Sequence, residues 1–260
     1  MPSLSRRGLL AAASSLCLAL AACGGGTSSQ YSGSTLNGQV LMDATAPLEG
    51  TADICIYGIA NGLGNPLNTN VTPPVNTGTL LTAGCLSSNA QGQFSADLSN
   101  FYGPVLVQVT GGVYASRATG AAATLSALPA TNVSLQAIAF VGGGGTVNVV
   151  ATPLTTMAVA IANTMPGGLT MSNYQAAAAK VAAEFQLSGV NITSTPASGD
   201  AQDLVLRGVE QYLAFPPGST DDPNAANLLN WNTGALPTMS ADFTSAYNAI
   251  NGTSASFSFY

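Results

Sequence analysis

The side chains able to do chemistry are few. The chain has no histidine, which removes an imidazole base, the serine and cysteine triads that depend on one, and the usual zinc ligands. Beyond residue 22 it keeps a single lysine, Lys180. A Ser–Lys mechanism would need that amine desolvated. Instead, Lys180 sits in an alanine-rich helical stretch with Glu184 one turn on, the spacing of a surface ion pair. Two carboxylate pairs have the chemistry of glycoside hydrolysis, Asp200 with Asp203 and Asp221 with Asp222. Both read better as helix starts, where acids offset the positive end of the helix dipole. Asp221, Asp222 and Asn224 offer oxygens to calcium but lack EF-hand spacing. The glycine run 142–145 has no lysine after it, so it reads as a joint and not as a phosphate loop. Trp231 and Tyr212 have faces that stack on sugars, although a lone Trp in a helical segment reads first as core. The expectation is therefore no catalytic residue, no bound metal and no cofactor.

The N-terminus sets the compartment. Arg6 and Arg7 are followed by an uncharged run over residues 8–22, rich in leucine and alanine. A basic start, a short apolar run and small exit residues make a signal peptide; the run is too short to span a bilayer. The exit, Leu20-Ala21-Ala22-Cys23, resembles the lipobox of bacterial lipoproteins. That resemblance implies that Cys23 is the acylated first residue of the mature chain and that Leu20, Ala21 and Ala22 are the recognition residues. It also implies a lipid anchor on the extracytoplasmic side of the envelope, at the outer membrane or cell surface. Residues 23–35, rich in Gly and Ser, read as a flexible tether. Residues 5–10 also resemble a twin-arginine export signal.

Cys17 lies in the removed segment, which leaves Cys55 and Cys85 as an even pair in an oxidising compartment. A disulfide across their 30-residue separation is expected, contributing about 3–4 kcal/mol by loop-closure entropy. Two buried thiols are the alternative. Two cysteines without histidine do not complete a zinc shell.

Removal of residues 1–22 leaves 238 residues, enough for two ordinary domains. Three cations, Arg117, Lys180 and Arg207, then face eleven acids, a side-chain charge of −8. Nucleic acid and anionic lipid both require clustered Lys and Arg, so neither is an electrostatic partner. With charged residues at 6% of the chain, the solvated surface is built from Ser, Thr, Asn, Gln and Gly.

The elements that would position these residues fall into two blocks. Residues 36–150 read as short strands with period-two alternation: 38–42, 52–59, 79–85, 94–98, 105–110 turned by Gly111-Gly112, 124–128, 133–141 and 146–150. A long Gly, Asn and Pro loop spans 61–78. Residues 151–260 read as helical. Thr152-Pro153 is a helix start for 153–164, followed by helices over 172–187, about 200–215, 223–231 and 240–251. The tail 254–260 reads as a strand or a frayed end. The fold class expected is α+β in two segregated parts: an antiparallel β-sandwich, immunoglobulin- or transthyretin-like, over 36–150, and a small helical domain over 151–260.

The stretches GQVLMDATAPLEGTADICIYG, NAQGQFSADLSNFYGPVLVQVTGG and GGGTVNVVATPLTTMA resemble envelope lipoproteins with a carboxypeptidase-regulatory-like, transthyretin-like sandwich. The resemblance covers about half the chain and implies an accessory or interaction module without peptidase chemistry. Three functions follow as expectations: a non-enzymatic lipid-anchored envelope protein acting as a structural or interaction module, with an envelope protein or glycan as its partner; a glycan-binding surface lipoprotein; and a hydrolase using carboxylates alone. An aromatic platform among Tyr57, Tyr102 and Tyr114 separates the second from the first.

Overall fold

Leu36, Gly38 and Val40 alternate with Asn37 and Gln39, so one face of this stretch is apolar and the other polar, the pattern of a half-buried strand. That strand, β1 (Ser34–Asp43), is the centre of the first sheet. The computed structural model describes residues 34–59, 67–68, 75–76, 79–99, 101–128, 133–215 and 236–260; these lie in one compact unit, residues 31–260. The remaining strands are β2 (Ala46–Pro47), β3 (Glu49–Gly58), β4 (Leu67–Asn68), β5 (Val75–Asn76), β6 (Gln93–Asp97), β7 (Gly103–Ala115), β8 (Ala122–Thr124), β9 (Leu135–Val141) and β10 (Gly145–Ala151). The helices among the described residues are α1 (Pro153–Thr164), α2 (Met171–Glu184), α3 (Ala201–Ala214) and α4 (Leu236–Asn251). The chain is mixed α+β.

β1 lies between β10 and β6, with β2 at its upper end. The second sheet has the order β3-β7-β8, with β9 also on β7. Pairing is antiparallel throughout the described strands except β1 with β10, which run parallel, Ser34 opposite Gly145 and Val40 opposite Ala151. Alternation carries no strand direction, so this pair was not legible. The glycines at 143–145 adopt φ of 80–87° and carry the chain from β9 in one sheet to β10 in the other.

Two strands depart from expectation. β7 does not turn at Gly111-Gly112. It passes through them as a bulge, with φ of 68° and 92° and a register shift between Glu49 and Ala52 on β3, and continues to Ala115. The expected strand at 79–85 is instead a bent segment joined to β3 by isolated bridges at Leu80 and Leu86. The Cys55–Cys85 disulfide, with Cα atoms 4.4 Å apart, pins that segment along the outer edge of β3. There Leu86 and Ile54 exchange two 2.8 Å backbone bonds. The edge is thus covered, which blocks edge-to-edge pairing.

The edge of β9 is covered by α1. Thr152 caps the helix and Pro153 occupies its first turn, as expected. The next two threonines do more: Thr156 Oγ1 accepts from the Gln136 amide at 2.9 Å, and Thr155 Oγ1 donates to the Gln136 carbonyl at 2.8 Å. Both polar groups of an edge residue are thereby satisfied by the helix that buries it.

Helix α2 stops at Glu184, short of the expected Leu187. Gln186 takes a left-handed φ of 58°, and the amides of Gln186 and Leu187 return to the carbonyls of Ala183 and Ala182, a Schellman ending. The C-terminal tail is neither strand nor frayed. Ser240, Thr244 and Asn248, four residues apart on α4, accept from the amides of Phe259, Phe257 and Ala255 at 2.8–3.0 Å. Two residues of extended chain nearly match four of helix in length, so alternate amides meet successive helical turns. Phe257 and Phe259 then turn inward against Phe185 and Phe243.

Strands precede helices along the chain, but one core serves both. Buried Leu154, Val181 and Val209 belong to the same cluster as Ile54, Val107 and Leu135. Among the described residues the helical segment has no separate core, because α1 buries its face on β9 and α3 packs over β1. Residue 150 marks a change of element type within this shared interior. The expected helix at 223–231 and most of the loop 61–78 lie outside the described residues.

Candidate functional site

The outward face of the first sheet carries the candidate site. Because β10, β1 and β6 are in register, their outward residues line up in rungs. Asn148, Asn37 and Ser95 form one; Val150, Gln39 and Gln93 form the next. With Asn89 and Thr195 at the upper end they line an open trough of about 580 Å³. No ionisable side chain lines it. Ser95 Oγ donates to Asn37 Oδ1 at 2.8 Å, and Asn89 Nδ2 donates to Gln93 Oε1 at 3.2 Å. Asn89 Oδ1 also accepts from the amides of Gln91 and Gln93 at 2.9 and 2.8 Å, fixing the turn that leads into β6. The floor is rigid: Phe94 lies against the bare backbone of Gly38, where a Cβ would fall 1.9 Å from the ring. Carboxamides and hydroxyls each present both a donor and an acceptor. A solute whose groups are hydroxyls can be matched here, whereas an anion would find no charge to pair with.

Acidic and basic side chains gather elsewhere, where the upper end of β1 meets α3 and the turn between β7 and β8. Asp200 caps α3, accepting from the Asp203 amide at 2.7 Å and, through its other oxygen, from the Ala197 amide at 2.8 Å. Asp203 is wholly buried. Its carboxylate accepts from the amides of Ala44 (2.9 Å) and Gly199 (2.7 Å) and pairs with Arg207 one turn on. The expected acid pair is thus a cap and a cross-chain tie. Asp43, also fully buried, accepts from the Thr45 amide at 2.6 Å and faces Arg117 Nε at 3.1 Å. Glu210 completes the group, with no exposure. Burial pushes its carboxyl above the usual carboxylate range and the nearby Asp43 adds to this; the Ser116 hydroxyl and the backbone of Arg117 and Ala118 pull it back, without closing a hydrogen bond of ordinary geometry. The Tyr114 hydroxyl is pushed up by burial and by Glu210. Among the described residues, no three His, Cys, Asp or Glu side chains cluster as a metal shell.

Sequence reasoning passed over Asp43, Glu210 and the trough. The four-residue spacing of Asp203 and Arg207 was the one available signal for the cluster. The expected Lys180–Glu184 pair is not formed: Lys180 is exposed and Glu184 Oε2 accepts from the Tyr260 amide at 3.0 Å. Of the three tyrosines, Tyr57 and Tyr114 are buried, while Tyr102 is 54% exposed and meets Phe140 edge to face at 5.3 Å. Tyr212 is core. Cys23, Leu20, Ala21, Ala22, Asp221, Asp222, Asn224 and Trp231 lie outside the described residues.

No family model matches the chain, and no curated protein matches it. Among solved structures, a protein from Pseudomonas aeruginosa described as a candidate carbohydrate binding protein is similar at 14% identity. The similarity covers 47% of this chain and 90% of that one, with a TM-score of 0.26. A likeness that loose carries no argument about fold or ligand.

Proposed function

We propose that this chain is a non-catalytic, lipid-anchored protein of the bacterial envelope that binds neutral glycan in the trough across β10, β1 and β6. One observation carries the reading: a trough of about 580 Å³ whose polar lining is wholly carboxamide and hydroxyl. Glycan hydroxyls are recognised by such groups in networks where each side chain both donates and accepts. The described cations add a selectivity argument. Arg117 and Arg207 are held by Asp43 and Asp203, so acidic polysaccharides meet no available guanidinium in the trough. The anchor rests on the lipobox resemblance at Cys23, and the two-sheet part is taken as a transthyretin-like interaction module. The acid pair Asp200 and Asp203 does not favour a carboxylate-only hydrolase, since Asp203 is buried and Asp200 is a cap.

The test is calorimetric titration with neutral oligosaccharides and with uronate-rich ones of matched length. Binding of the neutral set, weakened by Asn37→Ala and by Asn148→Ala, is expected. Binding of neither set, or equal binding by these variants, overturns the assignment. The anchor is tested separately: Cys23→Ala is expected to abolish lipid labelling and release the protein from membranes.

A further inference from the structure

We propose that the end of the fold opposite the upper rungs of the trough faces the membrane, with Tyr102 and Phe140 seated in the headgroup region of the bilayer. The proposal rests on the lipid-anchor reading and extends it to a surface. The chain enters the fold at Ser34, the first residue of β1. Three segments converge there: Ser34 lies opposite Gly145, its carbonyl accepts from the Leu98 amide at 2.9 Å, and the Phe101 amide returns to the Leu98 carbonyl at 3.0 Å. Tyr102 therefore follows directly from the segment tied to Ser34. Phe140 and Gly142 lead into the short connection that opens β10.

Among the described residues, four large apolar side chains are exposed, and two of them, Tyr102 at 54% and Phe140 at 42%, meet at this end. Their placement is fixed by more than the edge-to-face contact. Phe140 lies opposite Pro104 across β7 and β9. Tyr102 rests on Gly142, where a Cβ would come within 2.5 Å of its ring. One side of the tyrosine is thus held by bare backbone while the residue as a whole stays more than half exposed. A tyrosine, with an apolar ring and a polar hydroxyl, partitions to the boundary between headgroups and acyl chains, and Phe140 adds apolar area beside it.

The length of the leading chain decides the occupant. Ten residues separate Cys23 from Ser34, a reach of at most about 40 Å when fully extended. An acyl group on Cys23 would hold this end close to the bilayer at high effective concentration. The strand ends that converge here carry no Lys or Arg, and β6 ends on the acid Asp97, so the contact is apolar and interfacial, without attraction to anionic lipid. On β1 the trough's first rung, at Asn37, is three residues from Ser34, about 10 Å along a strand, and its second, at Gln39, about 17 Å. The ligand site would then open away from the membrane.

The test couples the mature chain through Cys23 to a maleimide lipid in phosphatidylcholine nanodiscs that carry a headgroup spin label. The Cys55–Cys85 disulfide leaves Cys23 as the reactive thiol, so the result does not depend on acylation in the cell. The ring signals of Tyr102 and Phe140 are expected to broaden severalfold more than those of buried Tyr114 and Tyr212. In the untethered Cys23→Ser chain, Tyr102→Ser should weaken binding to phosphatidylcholine vesicles by about tenfold, with no rescue on adding anionic lipid. Equal broadening of exposed and buried rings overturns the proposal. So does a Tyr102 shift on adding neutral oligosaccharide with no broadening on the disc, which would assign the surface to glycan. Failure of the anchor reading shows separately, as a missing diacylglyceryl mass on the native N-terminal peptide.

Discussion

The trough on the first sheet and the buried group around Asp203 sit on the same central strand, yet they follow opposite rules. The trough is open and uncharged, and its side chains touch one another lightly; Asn89 and Gln39 also bond the turn into β6. The buried group holds three carboxylates and two of the three cations beyond residue 22. By the ordinary logic of active sites, buried acids mark function. Here each of them except Glu210 is consumed by a backbone amide or a guanidinium from another part of the chain. In a protein with so few charges, charge has become a means of joining segments, and recognition is left to neutral polar groups.

Breaking the buried group is the strongest test of that contrast. Asp203→Ala removes the acceptor for the Ala44 and Gly199 amides and leaves Arg207 without its partner. Loss of one member of a buried pair costs about 3–5 kcal/mol, and the urea midpoint should fall accordingly. A loss under 1 kcal/mol would mean that water substitutes for the carboxylate and that the group is not a tie.

Gly38→Ala attacks the floor of the trough from the core side. The added methyl must displace the Phe94 ring, and overpacking of this kind costs about 1–3 kcal/mol. Both stability and any ligand affinity should fall, measured by thermal melt and titration on the same sample. An unchanged melting temperature would show that the floor is soft, and the rigid-trough argument would fail with it.

Glu210 sharpens the contrast through pH. Its carboxyl is raised above the ordinary value in the folded state, so the folded chain holds this proton more tightly than the unfolded one. The stabilisation is complete below the unfolded pKa and is lost as pH rises through the folded one. Glu210→Gln, neutral and of the same shape, should remove that slope. Melting temperatures of the two chains are expected to diverge in favour of Gln from mildly acid to neutral pH. Parallel curves would mean that the Glu210 carboxyl is already satisfied.

Local chemistry made much of the helical part legible. Thr152-Pro153 gave the start of α1, and Asp200 the start of α3, because caps are encoded within one turn. The Cys55–Cys85 bond followed from counting. The end of α2 was missed since a left-handed Gln186 has no compositional signal, and β7 was cut short because Gly-Gly writes a bulge and a turn alike. The trough could not be read at all. It exists only because β10, β1 and β6 share a register, and alternation says which residues face outward without saying which neighbours stand beside them. Asp43 and Glu210 carried no sequence signal for the same reason: their burial is made by α3 folding across the end of β1.

The smallest expected effect on stability is the most informative about function. Asn148 is exposed on β10 and its side chain forms no hydrogen bond with another described residue, while the side-chain oxygen of Asn37 opposite it is engaged by Ser95. Asn148→Ala should therefore change unfolding free energy by no more than about 0.5 kcal/mol, the range of surface substitutions. A direct hydrogen bond to a neutral ligand is worth about 0.5–1.5 kcal/mol, so affinity for a bound oligosaccharide should drop several-fold on a fold that melts unchanged. That separation of binding from stability is what a recognition surface must display and what the Asp203 group cannot. If Asn148→Ala lowers stability as much as it lowers binding, the trough is part of the scaffold and the distinction between the two regions collapses.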